Sequence, residues 1–359
     1  MRATRLLSSL LSPAAIFLSL LISLFLPGCK AKPRRQAVPY DLQAYAEVVG
    51  FPRAIRYFPR DANLVTQFEN DYLASLDRER AFLGLARDAV LPHGAFLAIS
   101  GGGDNGAFGA GLLNGWTNAG SRPVFKLVTG VSTGALTAPF AFLGSAYDGE
   151  LKSIYTNVTM SDIAIKRNAL SAITDDAMTD NAPLWKLMKT HITQQLLDAI
   201  AEEHEKGRVL LVATTNLDVR RSVIWNVTKI AATHQPGALE LVQKILIASS
   251  AIPGTFPPVM IDVVADGKPY QEMHVDGGTV SQVFIYPAAT NMNMLAPRER
   301  KLYVIRNARL DPDWAQVDRR TLPIAFRAIT TLIQSQGMGD LYRLYTIAQR
   351  DHLDYNLAY

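Results

Sequence analysis

The chain has 359 residues, 48% of them hydrophobic, with a formal charge of +4, which suits one large domain or at most two around a sizeable core. Two of the cations, Arg2 and Arg5, sit in an amino-terminal stretch that has no acid, so the remainder carries only +2. With no Lys/Arg block interleaved with aromatics, that balance excludes nucleic acid as a partner, and a single cysteine, Cys29, excludes a disulfide framework.

Arg2 and Arg5 precede an apolar run from Leu6 to Leu26 broken by serines, the pattern of a secretory signal peptide over residues 1–28. A run of that length could also span a bilayer as a permanent helix. Leu26-Pro27-Gly28-Cys29 favours the signal, because it resembles the lipobox of bacterial lipoproteins, where cleavage before the cysteine is coupled to acylation of its thiol. Several acyl chains on Cys29 would make a stable membrane anchor. Lys30, where a retention signal would place Asp, points to the outer membrane, with the protein facing the periplasm. Residues 29–40, with Pro33, Arg34, Arg35 and Pro39, read as an extended tether.

Residues 41–92 read as a helical cap. The clearest helix runs from Asn63 to Leu85, with Leu64, Phe68, Tyr72 and Leu76 on one stripe, and Tyr57 and Phe58 are expected to pack against the main sheet. Residues 93–359 then form the catalytic body. Phe96-Leu97-Ala98-Ile99 leads into Ser100-Gly101-Gly102-Gly103-Asp104-Asn105-Gly106, and Val124 to Val128 ends in Thr129-Gly130-Val131-Ser132-Thr133-Gly134. Each predicts a strand, a turn and a helix. The second turn fits G-x-S-x-G, in which Gly130 and Gly134 let backbone approach closely and Ser132 projects at the start of a helix. Amides of Gly101, Gly102 and Gly103 are placed to receive an oxyanion.

Further on, Asp175, Asp176 and Asp180 match no EF-hand spacing and read as a solvated face or helix cap, and His191 and His204 lack ligand partners. Strands are expected over Arg208 to Thr214 and Ser222 to Val227, joined by a turn at Asn216-Leu217-Asp218. A helix follows over Leu239 to Ser250, then a hairpin of Val259 to Val264 and Tyr270 to Val275 about Asp266-Gly267. Asp276-Gly277-Gly278 closes that hairpin on a tight loop. Asp276 is the candidate base for Ser132, and Asp218 is a rival better suited to its turn. Lys301 to Arg306 reads as a last strand and Leu322 to Ala348 as helices, giving an α/β fold of three layers with a largely parallel central sheet.

The glycine-rich loop, Gly130-Val131-Ser132-Thr133-Gly134, Ala248-Ser249-Ser250-Ala251-Ile252-Pro253-Gly254-Thr255-Phe256-Pro257-Pro258 and Asp276-Gly277-Gly278, in this order, resemble the patatin-like phospholipases over roughly Gly94 to Asn307. The resemblance implies a patatin-like fold and a Ser132–Asp276 dyad that hydrolyses acyl esters of lipids, with no catalytic histidine, metal or other cofactor. Its partners would be a lipid or phospholipid substrate and, through the N-terminal anchor, the membrane. One departure is Asn105, where the family usually carries Arg or Lys.

Other readings compete. Gly101 to Gly106 also satisfies G-x-G-x-x-G, but no acid occurs from Ala107 to Tyr147 to hold a ribose, and no Gly-Lys-Ser/Thr supports a P-loop. A Ser-His-Asp esterase would have to use His352, the only histidine after Asp276. A lipoprotein that keeps the fold and binds lipid or a partner without turnover is the third alternative, which Asn105 keeps open.

Overall fold

The computed structural model describes residues 32–59, 61–167, 175–295 and 298–359. The signal-peptide, lipobox and Cys29 expectations therefore lie outside the described residues. In chain order the strands are β1 (Glu47–Val48), β2 (Arg56–Tyr57), β3 (Gly94–Ile99), β4 (Phe125–Val131), β5 (Ile165–Lys166), β6 (Thr179–Asp180), β7 (Val209–Asn216), β8 (Arg221–Asn226), β9 (Val259–Ala265), β10 (Lys268–Asp276), β11 (Arg300–Ile305) and β12 (Leu353–Ala358). The helices are α1 (Ala62–Phe82), α2 (Gly106–Asn118), α3 (Thr133–Leu143), α4 (Asp148–Thr156), α5 (Ala182–His191), α6 (Gln194–Glu205), α7 (Val227–Ala232), α8 (Ala238–Ser249), α9 (Met292–Leu295) and α10 (Thr321–Arg350).

All strands but β5 and β6 join one sheet. Its centre is parallel, in the order β7-β4-β3-β11-β12, and antiparallel strands extend it: the β9–β10 hairpin beside β7, with β1 outside β9, and β8 followed by β2 on the other edge of β7. Alternate residues of one strand feed opposite faces, as strand geometry requires. Leu97 and Ile99 of β3, with Leu210 and Val212 of β7, pack with α2, α3, α6 and α8, whereas Phe96, Ala98, Val209 and Leu211 pack with α1 and α10. The result is a sheet covered on both sides, hence the uninterrupted burial of β4 and β7.

The Leu64, Phe68, Tyr72 and Leu76 stripe is the buried face of α1, whose N-cap Asp61 accepts from the amides of Asn63 and Leu64. Asp266 and Gly267 both take positive φ at the tip of the β9–β10 hairpin, the backbone that a two-residue turn demands. Residues 41–92 add β1 and β2 to the sheet and supply Ile55, Phe58, Tyr57 and Phe68 to both cores, so this segment is part of the body and not a lid over it.

One expectation needs correction. The described part of the 29–40 tether does not hang free: Arg34 forms a bidentate pair with Asp218, Arg35 pairs with Asp262, and the Gln36 carbonyl accepts from the Gln271 amide. Past the predicted helices, where the sequence suggests no further element, the chain adds one more strand. Leu353–Ala358 forms β12, parallel to β11, with Leu353 buried, Asp354 exposed and the rest half-buried, as befits an edge strand.

A buried ion pair fastens the amino-terminal segment to the hairpin. The Arg56 guanidinium meets Glu272 at 2.5 Å and donates to the Ala46 carbonyl, stacked between Trp225 and Phe58. Burial opposes the Glu272 charge, yet Arg56 and His274 hold its carboxyl down at about 2. Removing one partner strands the other charge in the core. Arg56→Ala is therefore expected to destabilise the fold by about 3–5 kcal/mol in urea unfolding at pH 7, and a loss under about 1 kcal/mol would show that the pair does not hold the segment in place.

Candidate active site

The site lies where three strand ends converge. One edge of β7 is shared by two strands that approach from opposite directions: parallel β4 pairs along it as far as Val131 opposite Ala213, and antiparallel β10 takes over with Asp276 opposite Thr214. Ser132 and Asp276 are thus brought together by consecutive residues of β7. The Ser132 Oγ donates to Asp276 Oδ2 at 2.6 Å.

Ser132 sits at φ 55°, ψ −127°, left-handed backbone that a side-chain-bearing residue rarely adopts. Tight glycine packing holds the turn there. A Cβ on Gly130 would lie 2.5 Å from the Gly134 carbonyl oxygen, and one on Gly134 would lie 2.4 Å from that of Ile99. Ser249 Oγ accepts from the Ser132 amide at 3.0 Å while donating to the Ala213 carbonyl, and the Ala251 carbonyl accepts from the Asp276 amide. The Ala248 to Pro258 segment thus braces both reactive residues. The sequence marked this segment as a motif without giving Ser249 a task.

Asp276 is buried, and desolvation raises its carboxyl to about 7 against the lowering effect of hydrogen bonds from Ser132 and from the Gly278 amide. Nothing cationic is among the causes of this shift. His274, two residues earlier, is turned away: its Nδ1 meets Thr214 Oγ1 at 2.9 Å and its Nε2 meets Glu272 at 3.1 Å.

The glycine-rich loop follows β3, beside the serine turn. Gly101 packs against Ser132 Cβ, but its amide donates to the Gln282 carbonyl at 2.9 Å and is not free for a ligand. That corrects the expectation for Gly101. The amides of Gly102 and Gly103 have no acceptor among the described residues, and they remain as donors. Gly102 admits no side chain, since a Cβ would fall 1.8 Å from the Asn307 carbonyl oxygen. Asn307 in turn fixes the loop through Ser100 Oγ, the Ser100 carbonyl and the Gly109 amide. Asn105 is exposed and makes no capping bond, so it lies on the lip of the site.

The remaining candidates stand elsewhere. Asp218 accepts from Arg34 and from the Met273 amide in the β7–β8 turn. Asp175 and Asp176 pair with Lys32 and Arg167, Asp180 accepts from the Ala182 amide at the start of α5, and His191 meets Glu150. His204 is pushed down to about 4 by burial and neighbouring cations. His352 precedes β12, whose first residue pairs with Arg300 as Arg300 pairs with Gly94. It therefore lies at the starting ends of the parallel strands, about 20 Å along the sheet from the ends that carry Ser132.

Among known proteins, the family model described as patatin-like phospholipase matches residues 97–289, a span that holds the serine turn, the glycine loop and Asp276. No curated protein matches. A solved structure, VipD from Legionella pneumophila, aligns at 15% identity with a TM-score of 0.36, over 60% of this chain and 50% of its own.

A raised carboxyl in the folded chain has a thermodynamic signature. Its contribution to stability is complete below the unfolded value near 4 and is lost as pH rises through about 7. Between pH 4 and pH 8, Asp276→Asn should therefore gain on the wild-type chain by up to about 4 kcal/mol in chemical denaturation. A difference that does not change with pH would mean that Asp276 titrates like a solvated carboxylate.

Proposed function

From the premise that the chain belongs to the patatin-like phospholipase family, we propose that it is a lipid acyl hydrolase working through a Ser132–Asp276 dyad and tethered to the bacterial envelope by Cys29. The observation that carries the reading is the 2.6 Å bond between a serine in left-handed backbone and a buried aspartate whose carboxyl is raised to about 7. An ordinary Asp near 3.9 is a weak base, whereas one near the working pH combines useful basicity with a substantial ionised fraction.

Ser132 Oγ attacks the ester carbonyl as its proton passes to Asp276 Oδ2, and the oxyanion is received by the Gly102 and Gly103 amides. Protonated Asp276 then gives the proton to the departing alkoxide, releasing the alcohol. Water repeats the cycle on the acyl-enzyme, with Asp276 again taking and returning a proton. The Gly278 amide stays on Oδ1 and keeps Oδ2 aimed at the serine throughout. No imidazole enters any step.

A fluorophosphonate should label Ser132, and Ser132→Ala and Asp276→Asn should each lower turnover of a short-chain ester at least about a thousandfold. The double variant should be little worse than either single one, since both groups serve one proton transfer. Wild-type kcat/KM should rise with pH through an apparent value near 7. His352→Ala should keep at least about a tenth of the rate, a barrier change under about 1.4 kcal/mol. Multiplicative losses in the double variant would remove Asp276 from the role of base.

The envelope tether is supported by the sequence of residues 1–30 alone. Mass spectrometry of the membrane fraction should find a mature chain that starts at acylated Cys29, and Cys29→Ser should leave precursor or unanchored protein. An intact segment from Met1 to Gly28 on the mature wild-type product would replace the lipid anchor with a transmembrane one.

A further inference from the structure

Helix α10 is docked over only half its length. Its carboxyl-terminal half buries Gly337, Asp340, Leu341, Leu344, Ile347 and Ala348 against the sheet. The same face continues toward the amino end as Leu322, Phe326, Ile329 and Ile333, at i, i+4, i+7 and i+11. There the described residues do not cover it: Leu322 is 71% exposed, Phe326 55% and Ile329 44%. Leu332 beside the stripe is 69% exposed, and Trp314 in the preceding loop 88%.

The charge on this stretch has one sign. From Arg319 to Gly339 the cations are Arg319, Arg320 and Arg327, with no acid; Asp311, Asp313 and Asp318 stay in the loop before it. Arg327 donates to the Asp313 backbone carbonyl, and among the described residues none of the three arginines is paired with a carboxylate. An apolar stripe with arginines alongside and an exposed tryptophan nearby is the make-up of a helix that lies in the plane of an anionic bilayer. None of the described helices is long and apolar enough to cross one.

The helix also leads straight to the site. Gln336 donates to the Val280 carbonyl, and Asp340 accepts from the Gln282 amide at 2.6 Å and from Ser281 Oγ. Gln282 holds both halves of the site, since its carbonyl takes the Gly101 amide and its side chain donates to the Gly278 carbonyl. Phe326 is ten residues along the helix from Gln336, about 15 Å away.

We propose that the amino-terminal half of α10, with Trp314, is an interfacial docking element that seats the protein on a phospholipid surface rich in anionic headgroups, with the Ser132 site beside that surface. This deepens the lipid-hydrolase reading by stating where the substrate comes from. Docking itself does not require turnover, so the two can fail separately.

The test uses the full chain as Cys29→Ser/Phe326→Cys, which has a single thiol for an environment-sensitive dye and no acylated anchor. Phosphatidylglycerol vesicles should raise the dye fluorescence at least threefold, pure phosphatidylcholine much less, and added salt should weaken the response. No change on phosphatidylglycerol vesicles would overturn the proposal. So would fluorescence that is already high without vesicles, which would mean that a second copy or the chain's own residues cover the stripe. In parallel, Leu322→Gln/Phe326→Gln should lower hydrolysis of phosphatidylglycerol vesicles at least tenfold and leave soluble-ester turnover within twofold. Equal effects on both substrates would contradict docking. A labelled chain that shifts its fluorescence, beside a wild-type chain that never turns over soluble ester, would instead refute the hydrolase reading.

Discussion

The shared edge of β7 is the constraint on which the rest depends. A parallel strand and an antiparallel strand meet end to end along it, so that the residue after Val131 and the residue opposite Thr214 face each other. Neither strand could be shifted by one residue without turning its whole side-chain pattern over. The 2.6 Å contact between Ser132 and Asp276 is therefore fixed by sheet register together with the positive-φ turn that carries the serine. The neighbouring groups act on the same geometry: Ser249 holds the serine amide, Ala251 the aspartate amide, and Gly277 lies so close to the Ala213 carbonyl that a side chain there would collide with it.

That placement also sets the chemistry. Ending a buried strand, Asp276 is taken out of water with only two hydrogen bonds to compensate, and its carboxyl rises. The nearby Glu272 shows the opposite outcome in an equally buried setting, because Arg56 and His274 neutralise it and pull it down to about 2. Two carboxylates four residues apart on one strand are thus driven in opposite directions by whether a cation is supplied. One holds the amino-terminal segment to the body; the other is left poised to accept a proton.

Much of this was legible in the sequence because it is local. Short continuous apolar runs marked β3, β4 and β7, apolar alternation marked β10, the stripe of Leu64, Phe68, Tyr72 and Leu76 marked α1, and G-x-S-x-G marked the serine turn. What escaped was long-range or polar. β12 carries no sequence signal of its own because an edge strand with Asp354 exposed and Asn356 half-buried needs β11 to exist as a strand at all. Gly101 was grouped with its neighbours because sequence cannot show that its amide is claimed by Gln282, far along the chain. The roles of Ser249, Asn307 and Asp340 likewise come from partners distant in sequence, and the docking of Arg34 and Arg35 on the hairpin turns an apparent linker into part of the body.

The central claim is that burial beside Ser132 makes an unassisted aspartate a competent base near neutral pH. Titration of the Asp276 carboxyl by carbon-13 NMR, with its resonance assigned by loss in Asp276→Asn, tests this most directly. The account predicts a midpoint near 7 in the free protein. A midpoint below about 5, in the range of solvated carboxylates, would contradict it.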